Sequence, residues 1–465
     1  MLKKLRIQNF KGWEDTGVID MAPITLFFGS NSSGKSSIGQ FLMMLKQTAG
    51  AQDRKVVFYP GDSNSAIQFG AYQDIVFRHD TAKKITFEYA WLLPEKERPR
   101  FRDPISRKTF TGDCLQFQAE IGLNQKDQYV PVVEHLQYDL INGKESALSI
   151  CMRRQGEKNE YRVEDGNPKL KRNQGRGWAP GAPVRFYGFP DEVVAYYQNA
   201  DFVQELNLQH EKLFRSLFYL GPLRNKAKRL YTWPGTQPES VGNAGEETVP
   251  AILASRTRIM NLGYRKPKRR FDEIIASKLQ KMGLIENFTV KAISDQRREY
   301  EVRVRAKGAK DLVVLPDVGF GVSQVLPVLV ECFHAPHGSI ILMEQPEIHL
   351  HPSAQSALAD VMIDVINSRE NGEHRNIQLI IETHSEHFLR RLQRRIAEGV
   401  LTQDKLAAYF ADITQSPARL EPLKIDLFGN ILNWPKDFFG DDMGDILAQA
   451  DAAATKRKEQ AETAK

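Results

Sequence analysis

The chain has 465 residues, of which 41% are apolar and 9% aromatic, enough to bury a sizeable core, so wholesale disorder is excluded. A surplus of 64 Lys and Arg over 58 Asp and Glu leaves a net charge of +6, which is compatible with nucleic acid but does not require it. No apolar run reaches the length of a membrane span, and three scattered cysteines, Cys114, Cys151 and Cys332, form neither a disulfide framework nor a metal spacing.

The start of the chain carries Lys3, Lys4 and Arg6, but Asn9, Lys11 and Glu14 interrupt any leader-like apolar segment. A cytoplasmic protein with no membrane partner is therefore expected. Residues 2–9 alternate apolar and polar side chains, as a strand does, with a turn at Phe10, Lys11, Gly12 and Trp13 and a short partner strand over residues 18–21.

An apolar run from Ile24 then ends in Gly29, followed by Ser30, Asn31, Ser32, Ser33, Gly34, Lys35, Ser36 and Ser37. This is G-x-x-x-x-G-K-[ST] in the strand–loop–helix setting of a phosphate-binding P-loop. The glycines let the backbone approach phosphate oxygens, and the loop N–H groups and the helix N-terminus supply partial positive charge. ATP and Mg²⁺ are the expected cofactors, with Lys35 on the β and γ phosphates and the Ser36 hydroxyl on the metal. The helix should span residues 35–47, with Ile38, Phe41, Leu42 and Leu45 on one face.

Gly70 to Asp74 punctuate the chain. From residue 83 to 163 the apolar period becomes two, so antiparallel strands are expected there. Residues 168–183, rich in Gly, Pro and basic side chains, read as a mobile loop. Helices are expected over 191–218 and 249–281, then strands over 288–293 and 299–304.

Gly319, Gly321, Ser323 and Gln324 open a second helix suited to anions. Downstream, an apolar run from Ser339 ends in Glu344, Gln345, Pro346 and Glu347, and a carboxylate at a strand's C-terminal end can hold the Mg²⁺ shell. A further run from Ile377 ends in Glu382, Thr383, His384 and Ser385, where the imidazole can meet a γ-phosphate. Seven of the ten histidines lie between His334 and His387, yet the two carboxylate-ended strands explain that region without a transition metal. Arg390, Arg391, Arg394 and Arg395 belong to a helix and should form ion pairs. The densest basic run, with Arg265, Lys266, Lys268, Arg269 and Arg270, is a candidate DNA contact, and Lys169 to Arg172 with Arg176 form a second. Asp441 and Asp442 fit a helix N-terminus, and residues 455–465 a frayed tail.

Taken together, these residues resemble the ABC-type ATPases of the SMC-like and OLD (overcoming lysogenization defect) kind within the AAA family. The chain is especially similar to stand-alone bacterial ATPases often met near defence genes and lacking a nuclease domain. The matching pieces are Asn9 to Gly12, the P-loop with Asn31, Gly319 to Gln324, Glu344 to Pro352, and Glu382 to Ser385. Tyr219-Leu220-Gly221-Pro222-Leu223-Arg224 and Asn433-Trp434-Pro435 with Phe438-Phe439 fit the closer group.

The resemblance implies an α/β fold, an ABC-type ATPase head whose N-terminal part is 1–82 and whose C-terminal part is 311–400. A β-rich and then helical region, 83–310, is inserted, and 401–465 form a short extension. It implies that Lys11 lies at the nucleotide, that Gln73 is the Q-loop glutamine touching Mg²⁺ and γ-phosphate, and that His384 is the switch histidine. It also implies that Ser323 acts across a head-to-tail dimer. Two departures are visible: the signature is not Leu-Ser-Gly-Gly-Gln, and the usual catalytic glutamate position holds Gln345. A neutral amide cannot act as general base, so Glu347 takes that role or turnover is slow.

The expected partners are a second copy of the chain, in a dimer or higher oligomer, and a separately encoded effector such as a nuclease in an antiviral system. Rival expectations are a DNA-repair or chromosome-handling clamp and an ATP-gated scaffold with little turnover.

Overall fold

Six strands form the sheet that carries the P-loop, in the order Leu217–Leu220, Ile340–Glu344, Gln378–Glu382, Ile24–Gly29, Leu406–Asp412 and Arg419–Pro422. The first five run parallel and the last is antiparallel. The structure is a computed structural model that describes all residues except 125–129, 157–159, 176, 295–296, 413–416, 436–437, 439–443, 445–446, 455 and 457–465. Arg176, Phe439, Asp441, Asp442 and most of the expected tail lie outside the described residues.

Continuous apolar runs form these central strands because both faces of the sheet are covered. Phe27, Leu342 and Ile380 point into one core, which also holds Phe41 and Leu45 of helix Lys35–Gly50. Their neighbours Leu26, Phe28, Ile341, Met343, Leu379 and Ile381 point into a second core with helices Phe320–His334, Pro352–Ile366 and Glu386–Ala397. Alternation along a strand thus feeds two cores at once.

The expected period-two strands form an eight-stranded antiparallel sheet: Glu160–Asn167, Glu145–Gln155, Pro131–Asn142, Cys114–Leu123, Ile85–Leu92, Leu2–Phe10 and Trp13–Asp15, with Ile19–Asp20 also on Leu2–Phe10. Ile85–Leu92 pairs with Leu2–Phe10 from Gln8 opposite Thr86 to Leu2 opposite Trp91, so one sheet runs from the N-terminal strand through the β-rich region.

Two expected helices need correction. Residues 191–218 contain helices Asp191–Tyr196 and Phe202–Arg215, after which Leu217–Leu220 is the edge strand beside Ile340–Glu344. A four-residue apolar run looks the same whether it is a buried helix turn or a buried parallel strand. Residues 249–281 are split into helices Thr248–Ser255 and Phe271–Lys281 by a hairpin, Ile259–Asn261 with Arg269–Arg270. Gly263 and the basic residues around Pro267 occupy its loop, where a helix would lose its hydrogen bond and meet the proline ring.

Strands over 288–293 and 299–304 are present as Ile285–Ala292 and Glu299–Ala306. The arginines after His384 are ion-paired as expected: Arg390 with Glu386 at 3.2 Å, Arg391 with Asp360 at 3.7 Å, Arg394 with Glu398 and Arg395 with Asp360 at 2.6 Å each. Among the described residues no helix is long and apolar enough to cross a membrane.

Candidate functional site

The P-loop leaves strand Ile24–Gly29 at its C-terminal end and enters helix Lys35–Gly50 at Lys35. Both glycines of the motif are required. Gly29 has φ +143°, and a Cβ there would stand 2.6 Å from the carbonyl oxygen of Ala411 on the neighbouring strand. Gly34 has φ +86°, and a Cβ there would press on the Trp13 indole at 3.2 Å. Trp13 is fully buried, and its Nε1 donates to the Gly34 carbonyl at 3.1 Å and Ser37 Oγ at 2.9 Å. Trp13 thus clamps the loop to the antiparallel sheet.

Lys35 is 4% exposed and folds back over its own loop, Nζ donating to the carbonyls of Gly29 at 3.1 Å and Ser30 at 2.7 Å and to Ser33 Oγ at 3.3 Å. Burial lowers its pKa, and Glu382 opposes that shift from 4.0 Å.

Parallel register brings the carboxylates together: Glu344 lies opposite Glu382, and Glu382 opposite Phe27 of the P-loop strand. Ser36 Oγ donates to Glu382 Oε1 at 3.0 Å. Tyr219 donates its hydroxyl to Glu344 Oε1 at 2.9 Å. Burial, reinforced by the Glu382 charge, pushes Glu344 up to about 7. Burial also raises Glu382, against the pull of Ser36 and Lys35. Glu347 is raised by burial although its Oε1 accepts from Thr383 Oγ1 at 2.7 Å and the His384 N–H at 2.9 Å. His384 is exposed, yet its pKa is lowered, first by desolvation and then by Lys35.

A cavity of about 500 Å³ opens over the loop. Of the expected nucleotide residues, Lys11, Asn31, Ser32, Ser33, Gly34, Lys35, Ser36, Ser37 and His384 line it. So do Gln40, Gln345 and Glu382, which are not among the expected ligands. Gln40 accepts from Lys11 Nζ at 2.5 Å and sits on the helix one turn past Ser36, a spacing that could have flagged it.

Gln73 is not brought to this cavity. It is exposed on the short helix Tyr72–Ile75, its carbonyl 2.9 Å from His79 Nδ1, because the Lys11 N–H anchors the helix end through the Ile75 carbonyl at 2.7 Å. Ser323 also lies elsewhere in the same chain, in the first turn of Phe320–His334, where its Oγ donates to the Phe320 carbonyl at 2.8 Å. In the basic run, Lys266 is 3.9 Å from Asp364 and Arg270 is 2.9 Å from Asp272, so part of its charge is spent locally.

The residues fit a Mg²⁺-nucleotide. The Ser36 hydroxyl and two facing carboxylates form an all-oxygen donor set suited to a hard cation, and Glu382 Oε2 is buried without a hydrogen-bond partner among the described residues. A Lys-bearing glycine loop at a helix N-terminus supplies the phosphate side.

A P-loop on a central parallel sheet, flanked by an antiparallel sheet, with carboxylates at the ends of the neighbouring strands, is the site of a P-loop ATPase domain. The AAA ATPase domain family matches residues 1–160 and 262–389, and the chain belongs to that family. Residues 401–449 match a further family described as a protein of unknown function, DUF3696. No curated protein matches the chain. Among solved structures, an SMC head bound to the C-winged helix domain of ScpA is 11% identical over 91% of this chain and 98% of its own, with a TM-score of 0.43. The SMC head domain from Thermotoga maritima is 10% identical over 91% and 99%, with a TM-score of 0.39. An SMC head with an extended coiled coil, bound to the C-terminal domain of ScpA derived from Pyrococcus furiosus, is 12% identical over 91% and 96%, at 0.40.

Proposed function

We propose that the chain binds Mg²⁺-ATP, closes head to tail with a second copy around the nucleotide, and is reset by hydrolysis. The observation that carries this reading is the convergence of Lys35, Ser36, Glu382 and His384 on one cavity, with Glu344 beside Glu382. Bound Mg²⁺ would draw charge from the β and γ phosphates as the terminal bond breaks. Lys35 leaves its loop carbonyls for phosphate oxygens, and the loop N–H groups hold the phosphates in place. Ser36, Glu344 and Glu382 hold the metal, Glu347 orients water, and His384 donates to the γ-phosphate. Ser323 of a second copy completes the site from its helix N-terminus.

The biological reading is a sensor or regulator in a multi-component antiviral system, acting on a separately encoded effector such as a nuclease. Gln345 lines the cavity where an ionisable base would be expected, and this favours a second reading, an ATP-gated scaffold that turns over little. ATP turnover of the purified chain, with and without DNA, tests both. Turnover that survives Lys35→Ala overturns the first reading, and nucleotide-driven dimerisation without turnover supports the second.

A further inference from the structure

The segment from Tyr219 to Arg224 makes no part of the P-loop, yet the fold delivers both of its polar ends to the carboxylate strand. Strand Leu217–Leu220 lies parallel beside Ile340–Glu344 with Tyr219 opposite Leu342, and the phenol hydroxyl reaches Glu344 Oε1. The chain then leaves the strand at Gly221, whose N–H donates to the Asn243 carbonyl at 2.9 Å, and Arg224 returns to the same place. Arg224 is 7% exposed, and its Nη2 donates to the carbonyls of Glu344 at 3.1 Å and Gln345 at 3.4 Å.

Those carbonyls belong to an unusual turn. Gln345 has φ +45°, a left-handed conformation that a residue with a Cβ keeps only when its surroundings hold it. Here they hold it from two sides: the Gln345 N–H donates to the Glu382 carbonyl at 2.8 Å, and the guanidinium takes its carbonyl. The turn redirects the chain so that the Glu347 carboxylate docks on Thr383 and the His384 N–H. The charge of Arg224 also acts on Glu347 and favours its ionised form.

We infer that Tyr219 and Arg224 are the positioning residues of this site: Tyr219 aims the Glu344 carboxylate, and Arg224 holds the Gln345 turn that carries Glu347 to His384. This deepens the Mg²⁺-ATP reading and rests on it. A tyrosine hydroxyl engages one carboxylate oxygen and leaves the other for a cation. One terminal nitrogen, Nη2, meets both carbonyls at the end of the longer guanidinium side chain, and a buried lysine ammonium is a shorter point charge that gives up its proton more readily.

The test uses the full chain with Tyr219→Phe, Arg224→Lys and Arg224→Met, each checked for folding by thermal unfolding. A fluorescent ATP analogue reports affinity without Mg²⁺ and the Mg²⁺ concentration needed to tighten it, and steady-state assays separate kcat from KM. Metal-free affinity should stay within about 2-fold in all three, since none touches the P-loop. Tyr219→Phe should raise the Mg²⁺ requirement about 5-fold and lower kcat about 10-fold. Arg224→Met should lower kcat about 100-fold with little change in KM, and Arg224→Lys should recover only about a tenth of it. Wild-type Mg²⁺ requirement and kcat in Tyr219→Phe would overturn the proposal, as would Arg224→Met that loses only thermal stability. If Arg224→Met does not fold, Tyr219→Phe, which keeps the ring packing, decides alone. A wild-type chain that does not bind Mg²⁺-ATP brings down the site reading itself, whereas normal wild-type binding with unmoved variants removes only the positioning roles.

Discussion

Helices Lys35–Gly50 and Phe320–His334 both start directly after a glycine and carry a serine in the first turn, yet they sit in opposite chemical surroundings. The first opens into a cavity with its own lysine, the Glu382 carboxylate with Glu344 beside it in the sheet, and the exposed His384. At the second, Ser323 bonds back to its own turn, and Phe320 is 50% exposed with its ring edge-on to His349 at 4.8 Å. Lys226 and Lys228 share a small depression with Ser323, whose only acid among the described residues is Glu246. A helix N-terminus supplies the same partial positive charge in both places. What makes the first a nucleotide site is the convergence of other strands on it. The second, among the described residues, has no facing pair of carboxylates beside it.

The comparison breaks most sharply at Lys35. Lys35→Ala should weaken ATP binding by about 100-fold or more, read by calorimetry, because Lys35 is the cation seated on the loop carbonyls, whereas Lys11, which also lines the cavity, is held by Gln40. Glu344→Gln should leave ATP affinity within about 3-fold but cut turnover by about 100-fold, since it removes a metal-holding charge that matters most as the bond breaks. Glu347→Gln in parallel separates a water-orienting role from metal binding. Ser323→Arg should leave ATP binding by the monomer within about 2-fold while abolishing ATP-dependent dimerisation by light scattering. Equal loss of binding in Ser323→Arg and Lys35→Ala would mean that the two helix starts are not separate halves.

A smaller effect concerns the body of the second helix. Glu331 is 1% exposed, accepts from the Val241 N–H at 2.8 Å, and is pushed up by burial from 4.5 to about 7. The folded state therefore holds a proton that the unfolded state releases above 4.5, so this group's contribution to stability falls as pH rises from about 4.5 to 7 and is constant above that. Glu331→Gln keeps the acceptor and removes the titration. Relative to the native chain it should gain about 1–3 kcal/mol at pH 8 over pH 5 in urea unfolding. A flat difference between the two pH values would show that Glu331 titrates normally.

Several parts of this molecule were legible one residue at a time. The P-loop is local, because glycine spacing, a lysine and a helix-starting serine lie within nine residues. The carboxylate-ended strands were legible for the same reason: a short apolar run closed by Glu is a strand end in any open parallel sheet. The antiparallel strands showed their period, and the arginine helix showed its ion pairs. Other parts were not. Glu382 became a partner of Ser36 only through the register between Gln378–Glu382 and Ile24–Gly29, which no local pattern encodes. Leu217–Leu220 began inside an expected helical stretch, since burial on both faces erases the period that tells strand from helix, and the resemblance marked Tyr219 to Arg224 without showing what they touch. Gln73 follows a plausible glycine, but the anchoring of its helix end to Lys11 leaves the side chain in solvent.

By itself, then, the sequence determined the phosphate loop, the strands that end in carboxylates and the antiparallel strands of the β-rich stretch, because each depends on patterns within a few residues. Only the tertiary structure decided which carboxylate meets Ser36, which tyrosine meets Glu344, and that a strand from beyond residue 400 packs against Gly29. Those depend on strand order and register, which are set by how two cores close on opposite faces of one sheet.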